Sequence, residues 1–452
     1  MIARPVRRAA VAAVAAVLAV STVALAAPPP PSFSAPVRLG FPNGDDWEPA
    51  IAADAYGHVY VVTSHYVGFG GSSIGDPDPT CPTCASPHTI VQVSSDGGAT
   101  FSAPRALVRT STTRQDDPQV VVDPADGRTV YAAFMQDNKS SQWVARSDDF
   151  GQTWRPVLVE QLQRGTDKDI LAVRGNDVYL VYHTQQKILV SVSHDRGKTW
   201  SVQNPLGTTN SEFGVSLASG GAVAPDGTVY FALNGVNRPG QAKGTINLYV
   251  VKSTDRGQTW TTSRVDVSQA AADCGCGGWD YWGAQLALAV DANNAVYVLW
   301  NANAVKGAPS RLYFARSTDG GATWSPRVDV SLAPRGANNV FPAIAARGAG
   351  DVRIAWQDDR NGFDPGDNSP DARWNTYFRS STNGGATWSG EAKLSAYVPG
   401  YSYKLATPAE GYLQPYGDYF KIDITAAGRT VAVWGEGNSY AGPGNIWYAR
   451  GQ

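Results

Sequence analysis

The feature that most constrains this fold is an eight-residue motif, STDGGATW at residues 317–324, which recurs along the chain. Its close variants are SSDGGATF (94–101), RSDDFGQTW (146–154), SHDRGKTW (193–200), STDRGQTW (253–260) and STNGGATW (381–388). Successive copies lie roughly 45 to 65 residues apart, a period typical of repeated supersecondary units in a solenoid or a propeller. The motif therefore predicts a repeat protein, and its position in each unit orders the rest of the sequence.

The acidic residue of each motif is followed within two positions by glycine. A short carboxylate there accepts hydrogen bonds from nearby backbone N–H groups, and glycine supplies the positive φ that a tight turn needs. The acids are Asp96, Asp149, Asp195, Asp255 and Asp319, with Asn383 in the last copy. Catalysis or metal binding is the alternative role, but an active site is not normally built six times over. We therefore interpret the motif as turn architecture.

These segments resemble the Asp-box, or BNR repeat, of the sialidase-like β-propellers. The resemblance implies an all-β propeller built from four-stranded antiparallel blades. The same box occurs in sialidases, in other glycoside hydrolases, in sortilin-like receptors and in photosystem assembly factors. It therefore implies the fold more specifically than it implies an activity.

The N-terminal segment reads as a targeting sequence. Arg4, Arg7 and Arg8 precede a long apolar run, and Ala24-Leu25-Ala26 fits a cleavage site of small residues. We expect a secretory signal at 1–26 and one mature domain at 27–452, which is secreted to the extracellular space or the cell surface. An uncleaved membrane anchor is the alternative, because the apolar run is long for a signal.

Composition narrows the class of the mature chain. Removing the three arginines of the signal from 37 Lys and Arg leaves 34 against 39 Asp and Glu, a net charge of −5. Without a basic stripe, nucleic acid is an unfavourable partner. The 47 Gly, 14 Trp and 20 Tyr against 2 Met fit short strands and tight turns, and no helical period is visible, so the class is all-β.

The spacing of the strands predicts seven blades, with six as the alternative. Six blades each contain three strands, a box and an outer strand, and a seventh set of three strands ends the chain without a box. SFSAPVRL (32–39) matches the strands that follow the boxes, although no box precedes it. We predict that this N-terminal segment is the outer strand of the last blade, because that pairing closes the ring and removes exposed sheet edges.

The functional residues are expected on the far face, which we define as the face opposite the boxes. The loops that lead into the inner strands carry the acids Asp45, Asp46, Asp116, Asp117, Asp167, Asp169, Glu212, Asp280 and Asp418. Crowded carboxylates raise one another's pKa, which provides a protonated acid beside an ionised base. The predicted catalytic residues are Asp46, Asp117, Glu212, Asp418 and Tyr416. A solvated acidic rim is the alternative.

Aromatic and basic residues accompany these acids. Flat rings could stack on sugar rings, and arginine could hold a carboxylate by bidentate pairing. The predicted substrate-binding residues are Arg114, Trp279, Asp280, Tyr281, Trp282, Arg360 and Tyr419.

The sialidase resemblance implies a specific set of catalytic groups. Sialidases use three arginines for the substrate carboxylate, an aspartate as acid/base and a tyrosine nucleophile paired with glutamate. The matching positions would be Asp45 or Asp46, Glu212, and Tyr416 or Tyr419. The chain has no Arg-Ile-Pro motif near its N-terminus, and catalytic sialidase domains are six-bladed.

The chemistry of the loop at 357–367 and of the four cysteines is ambiguous. QDDRNGFDPGD (357–367) predicts either an Asp/Arg network or a structural calcium site. Cys81, Cys84, Cys274 and Cys276 predict disulfides in an exported protein, with three possible connectivities and a Cys₄ zinc site as the alternative. A Cys274–Cys276 bridge would close a very tight ring. We therefore expect bridges between the loop that contains Cys81 and Cys84 and the loop that contains Cys274 and Cys276.

The leading functional hypothesis is a secreted, sialidase-like glycoside hydrolase that acts on an extracellular glycan. It requires no cofactor, and we expect a monomer with no membrane span in the mature chain. The alternative is a non-catalytic propeller that binds a glycan or a protein at the cell surface.

Overall fold

The structure is a computed structural model. It describes Met1 and residues 27–68, 73–108, 113–162, 165–184, 187–203, 220–236, 245–270, 284–362, 374–395, 400–401, 412–413, 416–437 and 444–452. Over these ranges the regular elements are β-strands, without an α-helix, and seven four-stranded antiparallel sheets surround a central channel. The part described contains no helix long and apolar enough to cross a membrane.

The first three blades follow an N-terminal strand, β1 (Val37–Leu39). Blade 1 contains β2 (Asp45–Ala53), β3 (Val59–Tyr66), an inserted hairpin of β4 (Pro77–Asp78) and β5 (Cys81–Ala85), then β6 (His88–Ser94) and β7 (Arg105–Ala106). Blade 2 contains β8 (Asp116–Val122), β9 (Val130–Gln136), β10 (Ser141–Ser147) and β11 (Arg155–Gln161). Blade 3 contains β12 (Thr166–Arg174), β13 (Asp177–Thr184), β14 (Lys187–Ser193) and β15 (Ser201–Gln203).

The remaining blades repeat this order. Blade 4 contains β16 (Gly220–Val223), β17 (Val229–Val236), β18 (Ile246–Ser253) and β19 (Thr261–Ser268). Blade 5 contains β20 (Leu286–Val290), β21 (Val296–Ala302), β22 (Arg311–Ser317) and β23 (Val328–Asp329). Blade 6 contains β24 (Asn338–Arg347), β25 (Asp351–Asp359), β26 (Trp374–Ser381) and β27 (Ala392–Lys393). A short parallel pair, β28 (Gly400–Tyr401) and β29 (Tyr412–Leu413), precedes the inner strand of blade 7.

Blade 7 joins the two ends of the chain. It contains β30 (Tyr416–Ile424), β31 (Thr430–Gly437), β32 (Gly444–Arg450) and, as its outer strand, β1. Val37, Arg38 and Leu39 pair with Tyr448, Trp447 and Ile446. The prediction of seven blades closed by the N-terminal strand is confirmed.

The N-terminal arm also reaches blade 6. The backbone N–H of Gly390 donates to the carbonyl of Pro28 at 2.7 Å. The ring of Phe33 meets that of Phe378 edge-on, with 4.9 Å between centroids. The arm before β1 therefore fastens the last two blades together.

Large side chains fill the interfaces between neighbouring blades. The second strand of each blade alternates, so one set of its residues packs against the preceding blade and the other against the next. The largest fully buried side chains of these strands are Tyr60, Tyr131, Tyr179, Tyr230, Phe134, Phe231, Tyr182, Trp300, Trp356 and Trp434. The recurring aromatic positions thus hold the blades in register around the channel.

The boxes form the predicted turns. In blade 2 the Oδ1 of Asp149 accepts the backbone N–H of Thr153 at 2.9 Å, and the Thr153 hydroxyl donates to Oδ2 at 2.6 Å. Ser147 accepts the N–H of Gly151 at 2.8 Å, and Trp154 donates its indole N–H to the carbonyl of Gly151 at 3.1 Å. Each hydrogen bond joins groups of one turn, which confirms the architectural role.

Replacing a box acid separates its roles. We expect Asp149→Ala to lower the free energy of unfolding by about 1–2 kcal/mol, because the turn loses acceptors for the N–H and hydroxyl of Thr153. Asp149→Asn should cost much less, since Asn383 in the last box accepts the N–H of Thr387 at 2.9 Å. Urea unfolding of the two variants measures the difference. Equal losses would show that the negative charge, rather than the hydrogen-bond geometry, stabilises the turn.

Candidate functional site

The far-face ends of the inner strands share a backbone distortion. The register of β2, β8, β12 and β24 shifts at a bulge, between Trp47 and Ala50 in the first of them. At each bulge one residue has a positive φ, and these residues are Glu48 (59°), Asp117 (53°), Lys168 (56°) and Phe341 (51°). Bulges re-aim side chains next to functional sites, and here they bring charged residues of three blades together.

These residues form what we call the carboxylate–lysine cluster, which consists of Glu48, Asp117, Lys139, Asp167, Lys168 and Asp169. The Nζ of Lys168 lies 3.3 Å from Oδ2 of Asp117, and the Nζ of Lys139 lies 3.1 Å from Oδ1 of Asp167 and 4.0 Å from Oδ1 of Asp117. Oε2 of Glu48 accepts the backbone N–H of Asp117 at 2.8 Å. The cluster therefore links blades 1, 2 and 3 through charges.

Asp117 is the ionised centre of this cluster. Its side chain is fully buried, and burial alone would raise its pKa. The charges of Lys168 and Lys139 outweigh burial and hold the pKa of Asp117 well below its usual range. In turn Asp117 and the neighbouring carboxylates raise the pKa of Lys139, although its partial burial acts in the opposite direction. The lysine therefore stays charged.

Asp169 has the opposite electrostatic state. It is fully buried, and neither carboxyl oxygen has a hydrogen-bond partner elsewhere in the described ranges. Burial, followed by the charge of Asp117, raises the pKa of Asp169 well above its usual value, which favours the protonated carboxyl. The cluster therefore contains two buried aspartates whose pKa values are shifted in opposite directions.

The sequence contained a signal for Asp169 that our choice of catalytic residues overlooked. It occupies the position that follows the positive-φ residue, where blades 1, 2 and 6 have Pro49, Pro118 and Pro342. Proline cannot titrate and needs no hydrogen bond from its nitrogen. Blade 3 therefore has an ionisable side chain at a position where three other blades have proline.

Asp46 does not join this cluster. Its Oδ1 lies 2.9 Å from Nδ1 of His65, both side chains are buried, and burial raises the pKa of Asp46. The His65 ring meets the His88 ring edge-on at 5.6 Å, and Nε2 of His88 lies 3.3 Å from Oδ2 of Asp78. Asp46 and Asp117 were predicted as one ring of acids, but the structure places them in two separate buried groups because each has its own cationic or imidazole partner.

The two predicted arginines in the described ranges both pair with protein carboxylates. Nε of Arg114 lies 2.9 Å from Oδ2 of Asp116. Nε of Arg360 lies 3.1 Å from Oδ1 of Asp358, its Nη2 contacts Glu391, and its guanidinium stacks 3.7 Å over the ring of Tyr377.

The loop that begins at Gln357 is an Asp/Arg network as far as residue 362. Burial raises the pKa of Asp358 to about 6, although Arg360 opposes that rise. Over the described parts of the chain, no group of three or more His, Cys, Asp or Glu side chains is arranged to hold a metal ion.

Several predicted residues lie outside the described positions. They are Glu212, Trp279, Asp280, Tyr281, Trp282, Cys274 and Cys276. The backbones of Tyr416, Asp418 and Tyr419 lie in the first half of β30, at the far face, but their side chains are not among those described.

The predicted bridge between the two cysteine loops is wrong for the described pair. Cys81 and Cys84 form a disulfide with each other, with 5.3 Å between their Cα atoms. The bridge closes the tight end of the β4–β5 hairpin, where the two cysteines are already close in the chain. It therefore stiffens a local insertion of blade 1 and does not span the far face.

The closed seven-bladed ring, the box turns on one face and the charge cluster on the other define an Asp-box β-propeller of the sialidase-like superfamily. Residues 38–271 match the model of the BNR repeat-like domain, and the chain belongs to this family. No curated protein matches the chain.

Solved structures share the architecture at low sequence identity. A protein of unknown function from Dyadobacter fermentans is 13% identical with a TM-score of 0.51, over 93% of this chain and 98% of that one. An ulvan lyase, a polysaccharide lyase, is 10% identical with a TM-score of 0.50, over 91% and 95%. A Hadza microbial sialidase is 15% identical with a TM-score of 0.49, over 90% and 66%. At these identities the likeness shows the fold alone.

Proposed function

We propose that this propeller is a secreted glycoside hydrolase that acts on an extracellular glycan through the carboxylate–lysine cluster. The observation that carries the proposal is a pair of fully buried aspartates with different surroundings. Asp117 lies 3.3 Å from Lys168, whereas neither carboxyl oxygen of Asp169 has a hydrogen-bond partner elsewhere in the described ranges, and their pKa values are shifted in opposite directions. Titratable groups whose environments push their pKa values apart are typical of acid/base sites. Hydrolysis of a glycosidic bond needs such a division, because one group protonates the leaving oxygen while another stays ionised.

Within this proposal the exposed edge of the cluster meets the sugar. The side chains of Asp167 and Lys139 are 25% and 28% exposed, whereas those of Asp117 and Lys168 are almost completely buried. We assign Asp167, which Lys139 neutralises, as the carboxylate that contacts the glycan. Asp169 supplies the proton, and because it is enclosed, the proposal requires that glycan binding exposes it.

The substrate class follows from how the described cations of this face are held. Arg114 and Arg360 pair with Asp116 and Asp358, and Lys139, the more exposed lysine of the cluster, pairs with Asp167. We therefore propose a glycan whose recognition does not depend on three arginines, and we include sialosides in the screen as the alternative substrate. Tyr416, Asp418 and Tyr419 remain proposed contacts from blade 7. Export with cleavage after residue 26 is part of the same proposal, and N-terminal sequencing of the secreted protein tests it.

An activity screen with three variants tests the assignment. The mature chain is assayed on sialosides, chromogenic glycosides and plant and microbial polysaccharides for release of reducing ends. We expect Asp169→Asn to lower kcat/KM about a hundredfold, because a general acid contributes at least that factor, and Asp167→Asn to lower kcat/KM mainly through a higher KM, because Asp167 contacts the glycan. Activity of the native protein should fall as the pH rises through the pKa of Asp169, since the acid then loses its proton, and Asp169→Asn should lack that limb.

The matched control is Asp358→Asn. Asp358 is also a buried carboxyl with a raised pKa, but it lies in blade 6 and belongs to the Arg360 network. Its activity should remain near that of the native protein. If all three variants lose activity in proportion to their thermal stability, the cluster is structural and the catalytic assignment fails.

A non-catalytic propeller is the second candidate, and one observation favours it. Asp46 contacts His65, and Asp117 contacts Lys168, inside the protein and not at its surface. Buried pairs of this kind can fix a scaffold that only binds. Retention on a glycan array with no turnover of any bound glycan would select this function over hydrolysis.

A further inference from the structure

The inner strands enclose a central channel of about 550 Å³. Its lining comes from all seven blades and is mostly small and aliphatic, as at Val121, Gly221, Ala289 and Ile344. This volume is within the range of small-molecule sites, roughly 300 to 1,000 Å³. Six charged side chains interrupt the apolar lining, and they are Asp54, Arg174, Asp291, Arg347, Lys421 and Asp423.

Two of the three carboxylates lie at the turns that follow the inner strands and already accept hydrogen bonds there. Asp54 accepts the hydroxyl of Tyr60 at 2.9 Å and is fully buried at its oxygens. Asp291 accepts the hydroxyl of Tyr297 at 2.8 Å and the backbone N–H of Gly350 at 2.9 Å. Asp54 is thus held within blade 1, and Asp291 links blade 5 to blade 6.

The third carboxylate and one arginine are held by backbone groups. Asp423 accepts the N–H of Ala53 at 2.8 Å and that of Ile424 at 2.7 Å. Burial raises the pKa of Asp423 to about 6. Arg347 donates to the carbonyls of Ile424, at 3.2 Å, and Thr425.

Lys421 and Arg174 have no such partner. Both are half-buried in the lining, and neither has a hydrogen bond or salt bridge to any residue that the structure describes. Burial lowers the pKa of Lys421 to about 8, and the charge of Asp423 only partly opposes this. Burying a cation in an apolar wall is costly when a neighbouring carboxylate compensates only in part, and an anion that enters the channel reduces that cost.

The arrangement of cations defines a direction of approach. In the backbone register of their hairpins, Arg174 lies opposite Asp177 and Arg347 lies opposite Asp351. Both arginines are therefore at the box-face ends of β12 and β24. Lys421 pairs with Val433 and lies deeper in the channel. Asp54 and Asp291 also lie at the box-face ends of their strands, but both carboxylates already accept hydrogen bonds, so Arg174 is the cation at this end that has no hydrogen bond or salt bridge in the described ranges.

We propose that the central channel is a second ligand site, which opens to the box face and binds a small oxyanion, a carboxylate or a phosphate, at Lys421 with Arg174 as the outer cation. The site shares no residue with the carboxylate–lysine cluster. It therefore stands or falls independently of the hydrolase proposal.

The test compares thermal unfolding of the native protein with that of Lys421→Met. The probes are sodium phosphate and sodium malonate, each against sodium chloride at equal ionic strength. We expect a saturable rise of the native midpoint with at least one oxyanion, because a ligand that binds only the folded state stabilises it. Lys421→Met should unfold at a higher temperature than the native protein without oxyanion, since methionine replaces a desolvated amine, and should show no specific response.

Lys306→Met is the matched control, because Lys306 is exposed and lies outside the channel lining. It should retain the native response, and Lys421→Arg should retain part of it. Acetylation by an N-hydroxysuccinimide ester, mapped by peptide mass, gives a second readout in which the effective oxyanion protects Lys421. An equal response in the native protein and Lys421→Met, or none in the native protein, would overturn the proposal, and the stronger of phosphate and malonate identifies the anion type.

Discussion

A chain that begins at residue 41 should unfold about 10 °C below one that begins at residue 27, and it should aggregate when concentrated. The deletion removes the buried Leu39, the Phe33–Phe378 contact and the backbone bonds of β1 to β32. Losing one large buried apolar side chain costs about 2–5 kcal/mol, and each kcal/mol shifts the midpoint of a large domain by roughly 2 °C. The exposed edge of β32 then offers unpaired backbone groups to another chain.

Two point variants show whether the strand itself, and not the length of the chain, is responsible. Leu39 is 7% exposed and packs between blades 7 and 1, whereas Val37 on the same strand is 49% exposed. Leu39→Ala should cost about 2–4 kcal/mol, and Val37→Ala should stay within about 0.5 kcal/mol. Calorimetry at matched concentrations measures both. An unchanged midpoint after the deletion would mean that closure by β1 contributes nothing to stability.

The fold was predictable because its determinants repeat locally. Each box contains its own hydrogen-bond donors and acceptors, such as Thr153 and Asp149. The sequence of each of the six copies therefore predicts the same turn, whichever residues the neighbouring blade contributes. The unmatched strand at 32–39 and the missing outer strand of the last blade then left one way to close the ring. Local hydrogen bonding and a count of strands were sufficient for the architecture.

The site was predictable only in outline. The acids before the inner strands do lie at the far face, but their partners come from distant positions, as Lys168 does for Asp117 and His65 does for Asp46. Where Lys168 and Asp169 lie depends on a bulge with a positive φ at Lys168, which a sequence pattern does not reveal for a residue other than glycine. For the same reason the sequence does not distinguish Asp169 from the other acids of the far face, whereas its complete burial in the structure does.

The comparison of the two faces explains how one repeat supports both structure and chemistry. On the box face the hydroxyl and backbone N–H donors of the turns hold the acids ionised. The hydroxyl and N–H of Thr259, for example, lower the pKa of Asp255 to about 2. On the far face the blades differ from one another, because Lys168 and Asp169 stand where blades 1, 2 and 6 have an acid or an aromatic residue followed by proline. Departures from a repeat that cost stability are the positions at which selection for function is expected.

Lys168→Met should lower the free energy of unfolding at pH 7.5 by about 3–5 kcal/mol. Lys168 is 3% exposed and lies 3.3 Å from the fully buried Asp117, so its removal leaves a carboxylate in the protein interior without its nearest counter-charge. Breaking a buried pair by deleting one partner typically has this cost. Urea unfolding of Lys168→Met, Asp117→Asn and the double variant gives the coupling between them, and the double variant should be more stable than the sum of the single losses predicts.

The pH dependence distinguishes the loss of a charge partner from the loss of packing. In the native protein the pKa of Asp117 is depressed by folding, so its contribution to stability is present above its unfolded pKa, about 3.9, and disappears as the pH falls below that value. Without Lys168 the folded pKa of Asp117 should rise above the unfolded one, and the folded state then binds the extra proton. The deficit of Lys168→Met should therefore be smaller at pH 5 than at pH 7.5. Lys198→Met, at an exposed box lysine, should show no deficit at either pH, and a deficit of Lys168→Met that does not change with pH would assign the role of Lys168 to packing alone.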